Sequence, residues 1–324
     1  MPVVAFTGAA GFKGGLWLGM AMAGLTIWLW DRIFRQLDVP ASTRIWLLVA
    51  IAFASPVYMI LFLMPGVWFM AQMLAFLLCT LAVACVILWR SLPLAGVCIA
   101  LALHCRQMAI FLPLFLFGLA LRQENSIFHP KWNTVRTVLI AIVPIAISIA
   151  IMLAYNYARF GNPLDTGYAH IANPDIDNPI TRRAAETGFF SFKYALFNFY
   201  YLLLQGFHVE FAGQHMLTPS AVDPFGTAIL VASPWLFLLF YSKLDRTAAF
   251  GFATIVLIAG VTLFYHSNGY LQINTQRYAL DWMPVALVLI VRQREQNVFH
   301  ALPPLATFGV MLNLAAFGTR VLFL

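Results

Sequence analysis

Arginine, tyrosine and carboxylate side chains that could do chemistry gather in a few polar stretches of an otherwise apolar chain. The richest stretch, 274–284, contains Arg277, Tyr278 and Asp281. A guanidinium group offers a planar fork of donors that fits a phosphate, and a neighbouring tyrosine can donate a hydrogen bond or face a sugar ring. We therefore predict that Arg277 and Tyr278 bind a phosphate-bearing ligand. The structural alternative is a local ion pair between Arg277 and Asp281, since residues at i and i+4 share one face of an α-helix.

A second polar stretch, which contains His104 and Arg106, interrupts the apolar segment 94–121. A charge at the centre of a bilayer costs several kcal/mol. We therefore interpret the segment as two short helices that form a hairpin with Arg106 at its tip. Arg106 then either reaches the plane of Arg277 and the same phosphate, or only extends its guanidinium group to the membrane surface.

The longest polar segment, 156–193, holds the carboxylates that could act as a general base. The candidates for a catalytic residue are Asp165, Asp175, Asp177 and Glu186. Loops of this length inside compact proteins are usually functional or disordered. We predict that the segment covers a substrate. In its first part, the alternative is structural: Gly161 and Pro163 would form a turn.

Composition decides which elements must position these residues. Hydrophobic residues make up 62% of the chain and charged residues 10%, and the mean hydropathy is +0.84; soluble domains contain about 25% charged residues. Apolar runs of about 20 residues recur, and in lipid such runs must be helical because each backbone amide needs a partner inside its own segment. We predict an all-α, polytopic transmembrane bundle that forms a single domain, 1–324.

The apolar runs predict about ten membrane segments, two of which form the hairpin. Their approximate positions are 14–30, 45–64, 67–89, 94–121 (the hairpin), 137–155, 227–241, 248–264, 282–291 and 302–324. The aromatic-rich stretch 189–207 predicts an interfacial helix, because amphipathic rings favour the headgroup level. The outer loop and this helix together would occupy about 156–226.

The net charge of +7 would suggest nucleic acid in a soluble protein. Here the basic residues lie mostly in short loops, so we expect a topological role and no nucleic-acid partner. The loops predicted to be cytoplasmic contain Arg32, Arg35, Arg44, Arg90, Arg122, Lys131, Arg136, Lys243, Arg246, Arg292 and Arg294. Asp177 and Asn268 would then be external, and Arg277 would lie outside against the positive-inside rule.

Metal and disulfide chemistry are not expected. His208, Glu210 and His215 do not match a known ligand spacing. The cysteines, which form no CxxC pair, are predicted to be buried free thiols: Cys79, Cys85, Cys98 and Cys105.

Four motifs resemble those of a known superfamily. The stretch Gly96–Arg106 resembles the G-x-x-x-G-L-A-x-x-x-R segment of GT-C fold glycosyltransferases that use polyprenyl-phosphate sugars, with Ala100 in place of the second glycine. Pro65–Trp68, Tyr155–Pro163 and Gln276–Pro284 resemble segments of bacterial members, in the same order. These enzymes are relatives of the protein O-mannosyltransferases and the aminoarabinose transferase.

The resemblance implies sugar transfer from a lipid-phosphate carrier to an acceptor on the outer face of the membrane, in the bacterial inner (plasma) membrane and without a cofactor. Arg277, Tyr278 and Arg106 would cradle the phosphate of the lipid-linked sugar donor. Such enzymes usually carry their carboxylate base in the first outer loop, whereas here no acidic residue precedes Asp31. Either the chain is N-terminally incomplete, or its base lies elsewhere, or it is not a working transferase.

Two other functions stay open beside the enzyme that we favour. A transporter or lipid-linked-sugar flippase should carry charged or helix-breaking residues at mid-membrane. Apart from the hairpin, the charges of this chain lie at the ends of the predicted spans, which favours a lipid-facing site at the surface. A membrane protein without catalytic activity is the remaining alternative.

Overall fold

The computed structural model of the chain describes residues 15–62, 66–120, 131–167, 170, 178–268, 276–293 and 295–323. The α-helices are α1 (Gly15–Gln36), α2 (Ala41–Phe53), α3 (Pro56–Phe62), α4 (Val67–Ile87), α5 (Leu92–Leu103), α6 (Leu112–Ala120), α7 (Trp132–Phe160), α8 (Pro179–Thr187), α9 (Ala195–Leu203), α10 (Ile229–Ala232), α11 (Arg246–Leu263), α12 (Met283–Ile290) and α13 (Leu302–Phe323). Two antiparallel strands, β1 (Val209–Ala212) and β2 (Thr218–Val222), form the sheet in this part of the chain. The mostly helical fold class is thus confirmed.

Short 3-10 helices join several of these elements. They span Gln107–Phe111, Phe192–Tyr194, Pro234–Tyr241, Arg277–Asp281 and Gln296–Ala301. The fourth of them carries the candidate phosphate-binding residues.

Among the described residues, five helical segments are long and apolar enough to cross a membrane, which agrees with the predicted transmembrane class. They are Ala41–Phe62, Val67–Ile87, Trp132–Phe160, Arg246–Leu263 and Gln296–Arg320. The predicted spans at 227–241 and 282–291 contain the 3-10 helix Pro234–Tyr241 and α12, each 8 residues long. These helices are shorter than the roughly 20 residues of a spanning helix. The number of about ten membrane segments stays a prediction.

The predicted hairpin is formed by α5 and α6, with the 3-10 helix Gln107–Phe111 before α6. The chain turns at His104 to Arg106, directly after the last residue of α5. Leu92, at the start of α5, and Ala120, at the end of α6, line one common cavity. Both arms of the hairpin therefore return to the same end of the bundle, and Arg106 lies at the turn.

Small side chains let α5 pack closely on α7. A Cβ atom added at Gly96 would lie 2.1 Å from the carbonyl oxygen of Ala141. One turn later, the Ser148 hydroxyl donates a hydrogen bond to the carbonyl oxygen of Ala100 over 2.7 Å. A pair of small residues four apart is a common way for membrane helices to approach. The glycine and alanine of the sequence motif therefore have a direct packing role.

The two ends of the bundle can be told apart by the residues at the two ends of α12. Its N-terminal end follows Asp281, beside Arg106, and we call this the outer end after the predicted orientation. Its C-terminal end precedes Arg292, which lines a cavity with Arg90, and we call this the inner end. Both arginines come from loops that the sequence places on the cytoplasmic side, so the structure gathers them at one end.

Helix α7 is longer than predicted. The sequence places a span at 137–155 and starts the loop at residue 156, whereas the helix continues to Phe160. It ends there because Gly161 adopts the left-handed conformation, with φ of 70°, which closes a helix without a side-chain clash. Tyr155 and Tyr157 are exposed near this end.

The predicted interfacial helix coincides with the 3-10 helix Phe192–Tyr194 and α9. Phe192 is 84% exposed and Leu196 is 81% exposed, whereas Asn198 is fully buried. The Asn198 amide donates to the carbonyl oxygens of Leu263, the last residue of α11, and of Tyr265, which follows it. One face of this element is therefore fixed to the bundle and the other is apolar and open; its place at the membrane interface stays a prediction.

Candidate functional site

At the outer end of the bundle, several side chains bind the carboxylate of Asp281. Its side chain is 3% exposed and forms an ion pair with Arg106, whose Nη2 lies 2.6 Å from Oδ2 and whose Nε lies 3.2 Å from Oδ1. The Gln72 amide, on α4, donates to Oδ1 over 2.7 Å. Three separate elements therefore meet on one buried carboxylate.

Asp281 does not form the local ion pair with Arg277 that the sequence allows. Residues Arg277–Asp281 form a 3-10 helix, not an α-helix. With three residues per turn, positions i and i+4 no longer share a face. The carboxylate points inward to Arg106, at the turn of the hairpin.

Arg106, Arg277 and Tyr278 lie together, as the motifs predict. The guanidinium carbon of Arg106 lies 4.7 Å from the centroid of the Tyr278 ring, and that of Arg277 lies 5.0 Å from it. Arg277 Nη2 donates to the Tyr278 hydroxyl over 3.3 Å. Arg277 also lies 4.8 Å from the ring of Phe69, on the first turn of α4. The aromatic faces orient both cations, because the negative face of a ring attracts a guanidinium group.

Tyr278 continues into an aromatic cluster with Tyr265, His266 and Phe189. The rings of Tyr278 and Tyr265 are 6.2 Å apart, and His266 lies 5.1 Å from Phe189. Burial lowers the pKa of His266, and the nearby charge of Arg183 lowers it further, against the opposing effect of its backbone contact with Phe189. This imidazole is therefore held in its neutral form near neutral pH.

Arg183 fastens α8 to this cluster. Its guanidinium carbon lies 4.2 Å from the ring of Phe197 and 5.1 Å from the ring of Phe225. Its Nη1 donates to the carbonyl oxygen of His266 over 3.3 Å. Burial lowers the pKa of Arg183. No sequence pattern singles out Arg183, because its role depends on rings that are distant in sequence.

Asp223 is a second carboxylate that sequence analysis missed. It accepts hydrogen bonds from the Tyr201 hydroxyl over 2.8 Å, from the Gln205 amide over 3.1 Å and from the Phe225 backbone N–H over 2.9 Å. Burial and this carboxylate raise the pKa of Tyr201. The Gln276 amide donates to the carbonyl oxygen of Phe225 over 3.3 Å and so links this turn to Arg277.

Sequence signals for the missed residues exist but are weak. Asp223 precedes a proline and lies three residues before a glycine, a pattern typical of turns. Gln72 is a polar residue inside an otherwise apolar helix, and such residues usually have a specific partner. Neither signal identifies that partner.

The predicted catalytic carboxylates divide into two groups. Asp175 and Asp177 lie outside the described residues. Asp165 accepts from the Gly167 N–H over 2.8 Å and lies 2.9 Å from His170, and these two contacts lower its pKa. Glu186 is exposed on α8. Asp165 thus lies beside His170, and Glu186 lies on the exposed side of α8. Their catalytic role stays a prediction.

The remaining candidates are the possible metal ligands and the cysteines. Within the described ranges, no group of three histidine, cysteine or acidic residues lies close enough together to hold a metal ion. The cysteines are free thiols; Cys79, Cys85 and Cys98 are buried, and Cys105 is partly exposed.

Comparison with known proteins leaves the site to be judged by its geometry. No protein-family profile, no curated protein and no solved structure matches this chain. What the structure itself contributes is an arrangement at the outer end in which two guanidinium groups lie against one tyrosine ring, with the buried carboxylate of Asp281 beside them.

Proposed function

We propose that this chain is a membrane glycosyltransferase of the GT-C type, which transfers a sugar from a polyprenyl-phosphate carrier to an acceptor hydroxyl at the outer membrane face. One observation carries the proposal: Arg106 and Arg277 both lie against Tyr278 at one end of a membrane bundle. Arginine forks at a membrane boundary suit the phosphate of a lipid. The order of the four sequence motifs supports the same activity.

The charges assign different roles to the two arginines. Asp281 neutralises Arg106, so this ion pair positions Tyr278 and the hairpin turn. We assign phosphate binding to Arg277, whose guanidinium group is oriented by the rings of Phe69 and Tyr278.

The chemistry follows from these roles. The acceptor oxygen forms a bond to the anomeric carbon of the sugar, the bond from that carbon to the phosphate oxygen breaks, and the polyprenyl phosphate leaves. Arg277 stabilises the charge that develops on the phosphate. The acceptor proton passes to a carboxylate, for which Asp165, Asp175, Asp177 and Glu186 are the candidates. Asp281 is unsuited to this role because Arg106 and Gln72 already occupy both of its oxygens.

The direct test is affinity of the purified protein for a polyprenyl monophosphate in detergent. Charge-assisted hydrogen bonds contribute about 1.5 to 3 kcal/mol each, so Arg277→Ala should weaken binding roughly ten- to a hundredfold. Arg277→Lys keeps the charge but loses the fork, and should recover binding only in part. Arg35→Ala, an exposed arginine on α1 paired with Asp31, is the matched control. Unchanged affinity in a folded Arg277→Ala protein would remove the phosphate role.

A second experiment separates the enzyme from the flippase. The protein in liposomes receives a radiolabelled polyprenyl-phosphate sugar together with extracts that contain acceptors. An enzyme releases the label from the lipid into an acceptor, and Arg277→Ala abolishes that release. Movement of an intact lipid-linked sugar across the bilayer without release would favour the flippase.

A further inference from the structure

A cavity of about 740 Å³ lies at the inner end of the bundle, opposite the site just described. Six elements contribute to its wall, among them the end of α1, the turn between α4 and α5, and the start of α7. Polar groups on this wall include Gln36, Asn133 and Thr137, and apolar groups include Leu119 and Val288. A wall of this mixed character fits a molecule that has both a polar and an apolar part.

The charge on this wall is positive. Arg90 and Arg292 both line the cavity, and its lining among the described residues contains no acidic side chain. Asp245, the residue that caps α11, binds Nη2 of Arg292 from outside this lining. Asp245 therefore balances one cation, and among the described lining residues Arg90 supplies a second positive charge.

The Nη1 group of Arg292 is a further hydrogen-bond donor at this cavity. This group is buried and has no hydrogen-bond partner in the described part of the chain. A buried guanidinium donor without an acceptor is costly, because the water that would have bound it is gone. An anionic oxygen in the cavity would satisfy this donor.

The location restricts the source of that oxygen. The cavity lies where several helices that fit a membrane begin or end, such as α4 and α7. Its apolar residues are available to the glycerol and first acyl carbons of a lipid, whereas a free anion would use only the polar groups. Basic pockets between membrane helices on the cytoplasmic side are known to hold anionic headgroups.

We propose that this inner cavity binds the phosphate headgroup of an anionic membrane phospholipid, with Arg90 and Arg292 as its phosphate-binding residues. The site is separate from the glycosyltransferase proposal, because it lies at the other end of α12. A lipid here contacts α1, α4, the hairpin and α7, all of which contribute to the wall of the cavity.

The test compares lipids on the purified full chain by native mass spectrometry and by the thermal unfolding midpoint. Phosphatidylglycerol and phosphatidylcholine are the two probes, and inorganic phosphate is the third. We expect phosphatidylglycerol to be retained and to raise the unfolding midpoint, with at least about tenfold preference over phosphatidylcholine. Equal retention of the two lipids would overturn the proposal. Displacement of phosphatidylglycerol by millimolar inorganic phosphate would overturn the lipid as the ligand.

Variants assign the binding to the cavity. Arg90→Gln should reduce phosphatidylglycerol binding on the order of tenfold. Arg35→Gln removes the same charge at the same end but from an arginine that pairs with Asp31 outside the cavity, and should leave binding unchanged. Thr137→Trp should block the site by volume without a change of charge. Equal effects of Arg90→Gln and Arg35→Gln would show general surface attraction and contradict the site.

Discussion

At the scale of single residues, the outer end depends on the ion pair between Asp281 and Arg106. Asp281 is 3% exposed at its side chain and Arg106 is 20% exposed. A buried pair contributes little net stability compared with apolar residues, but the loss of one partner leaves an uncompensated charge. The hydrogen bond from Gln72 further fixes the carboxylate. This arrangement explains why Arg106, at a hairpin turn, lies against Tyr278.

We predict that Asp281→Asn destabilises the protein by roughly 3 kcal/mol, because the Arg106 guanidinium loses its counter-charge. The measurement is the free energy of unfolding in detergent. Asp31→Asn is the matched control, since Asp31 pairs with Arg35 and Arg44 nearer the surface. The Asp31 side chain is 21% exposed against 3% for Asp281, so water compensates more of the lost charge and the destabilisation should be smaller. Similar losses for the two variants would contradict the structural importance of Asp281.

His266 predicts a dependence of stability on pH. Its folded pKa is below the unfolded value of about 6.5, because burial and Arg183 disfavour the charged imidazole. The stability that the neutral ring contributes is therefore present above about pH 6.5 and is lost as the pH falls through the folded pKa. The unfolding midpoint of the wild type should fall more between about pH 7.5 and about pH 5.5 than that of His266→Phe. Parallel pH profiles would rule out this residue as the cause.

At the scale of elements, the contact of α5 with α7 organises the hairpin. Gly96 and Ala100 face α7 at Ala141 and Ser148. Ser148 also lies 3.0 Å from Nε2 of His104, so the polar end of the hairpin is attached to the same helix. Much of the remaining surface of α7 is apolar and exposed: only 17% of its most apolar 18-residue stretch is buried inside the bundle. That surface suits lipid, since it carries the exposed aliphatic side chains of a spanning helix.

Gly96→Ala should therefore destabilise the protein by about 1 to 3 kcal/mol, because the new methyl group overlaps the backbone of Ala141 and the helices must separate. Gly24→Ala on α1 is the control, as a Cβ atom there meets nothing within 4 Å. That substitution should be neutral or stabilising, since alanine is the better helix former. The measurement is the thermal unfolding midpoint of both variants. An unchanged midpoint for Gly96→Ala would show that α5 and α7 lie further apart than in this structure.

At the scale of the whole molecule, the two ends of the bundle have different chemistry. The outer end carries the aromatic cluster around Tyr278, and the inner end carries the basic cavity with Arg90 and Arg292. Basic loops at one end follow the positive-inside rule, so the inner end should face the cytoplasm. Arg277, at the outer end, is an exception that a phosphate ligand explains.

This orientation predicts the result of cysteine labelling with an impermeant reagent on intact cells. Cysteine at position 217, where Leu217 is 78% exposed beside β2, should be labelled from outside. Cysteine at Lys243, near the inner end, should be labelled only after the membrane is opened. Cys105→Ala provides the background, because Cys105 is the partly exposed native thiol. Labelling of position 243 from outside would reverse the topology.

Several local features could be predicted from the sequence. The hairpin with Arg106 at its turn and the helix near residues 192–203 appear where the apolar and aromatic patterns place them. The motifs also bring Arg106, Arg277 and Tyr278 to one place. The hairpin and the helix follow from periodicity within a short window and from the cost of a charge in lipid, whereas the meeting of these three residues was implied only by the resemblance of the motifs.

What the sequence by itself determined is the class of the protein and the segments that its apolar runs force into helices, since a backbone in lipid has no other way to satisfy its amides. Only the tertiary structure decided the partner of Asp281. The sequence allows Arg277, four positions away, but the 3-10 geometry of Arg277–Asp281 turns the carboxylate to Arg106, 175 residues distant, and to Gln72, 209 residues distant. The inner cavity has the same origin, because its wall comes from six separate elements. Contacts of this kind depend on how helices pack in three dimensions, and no local pattern of residues encodes them.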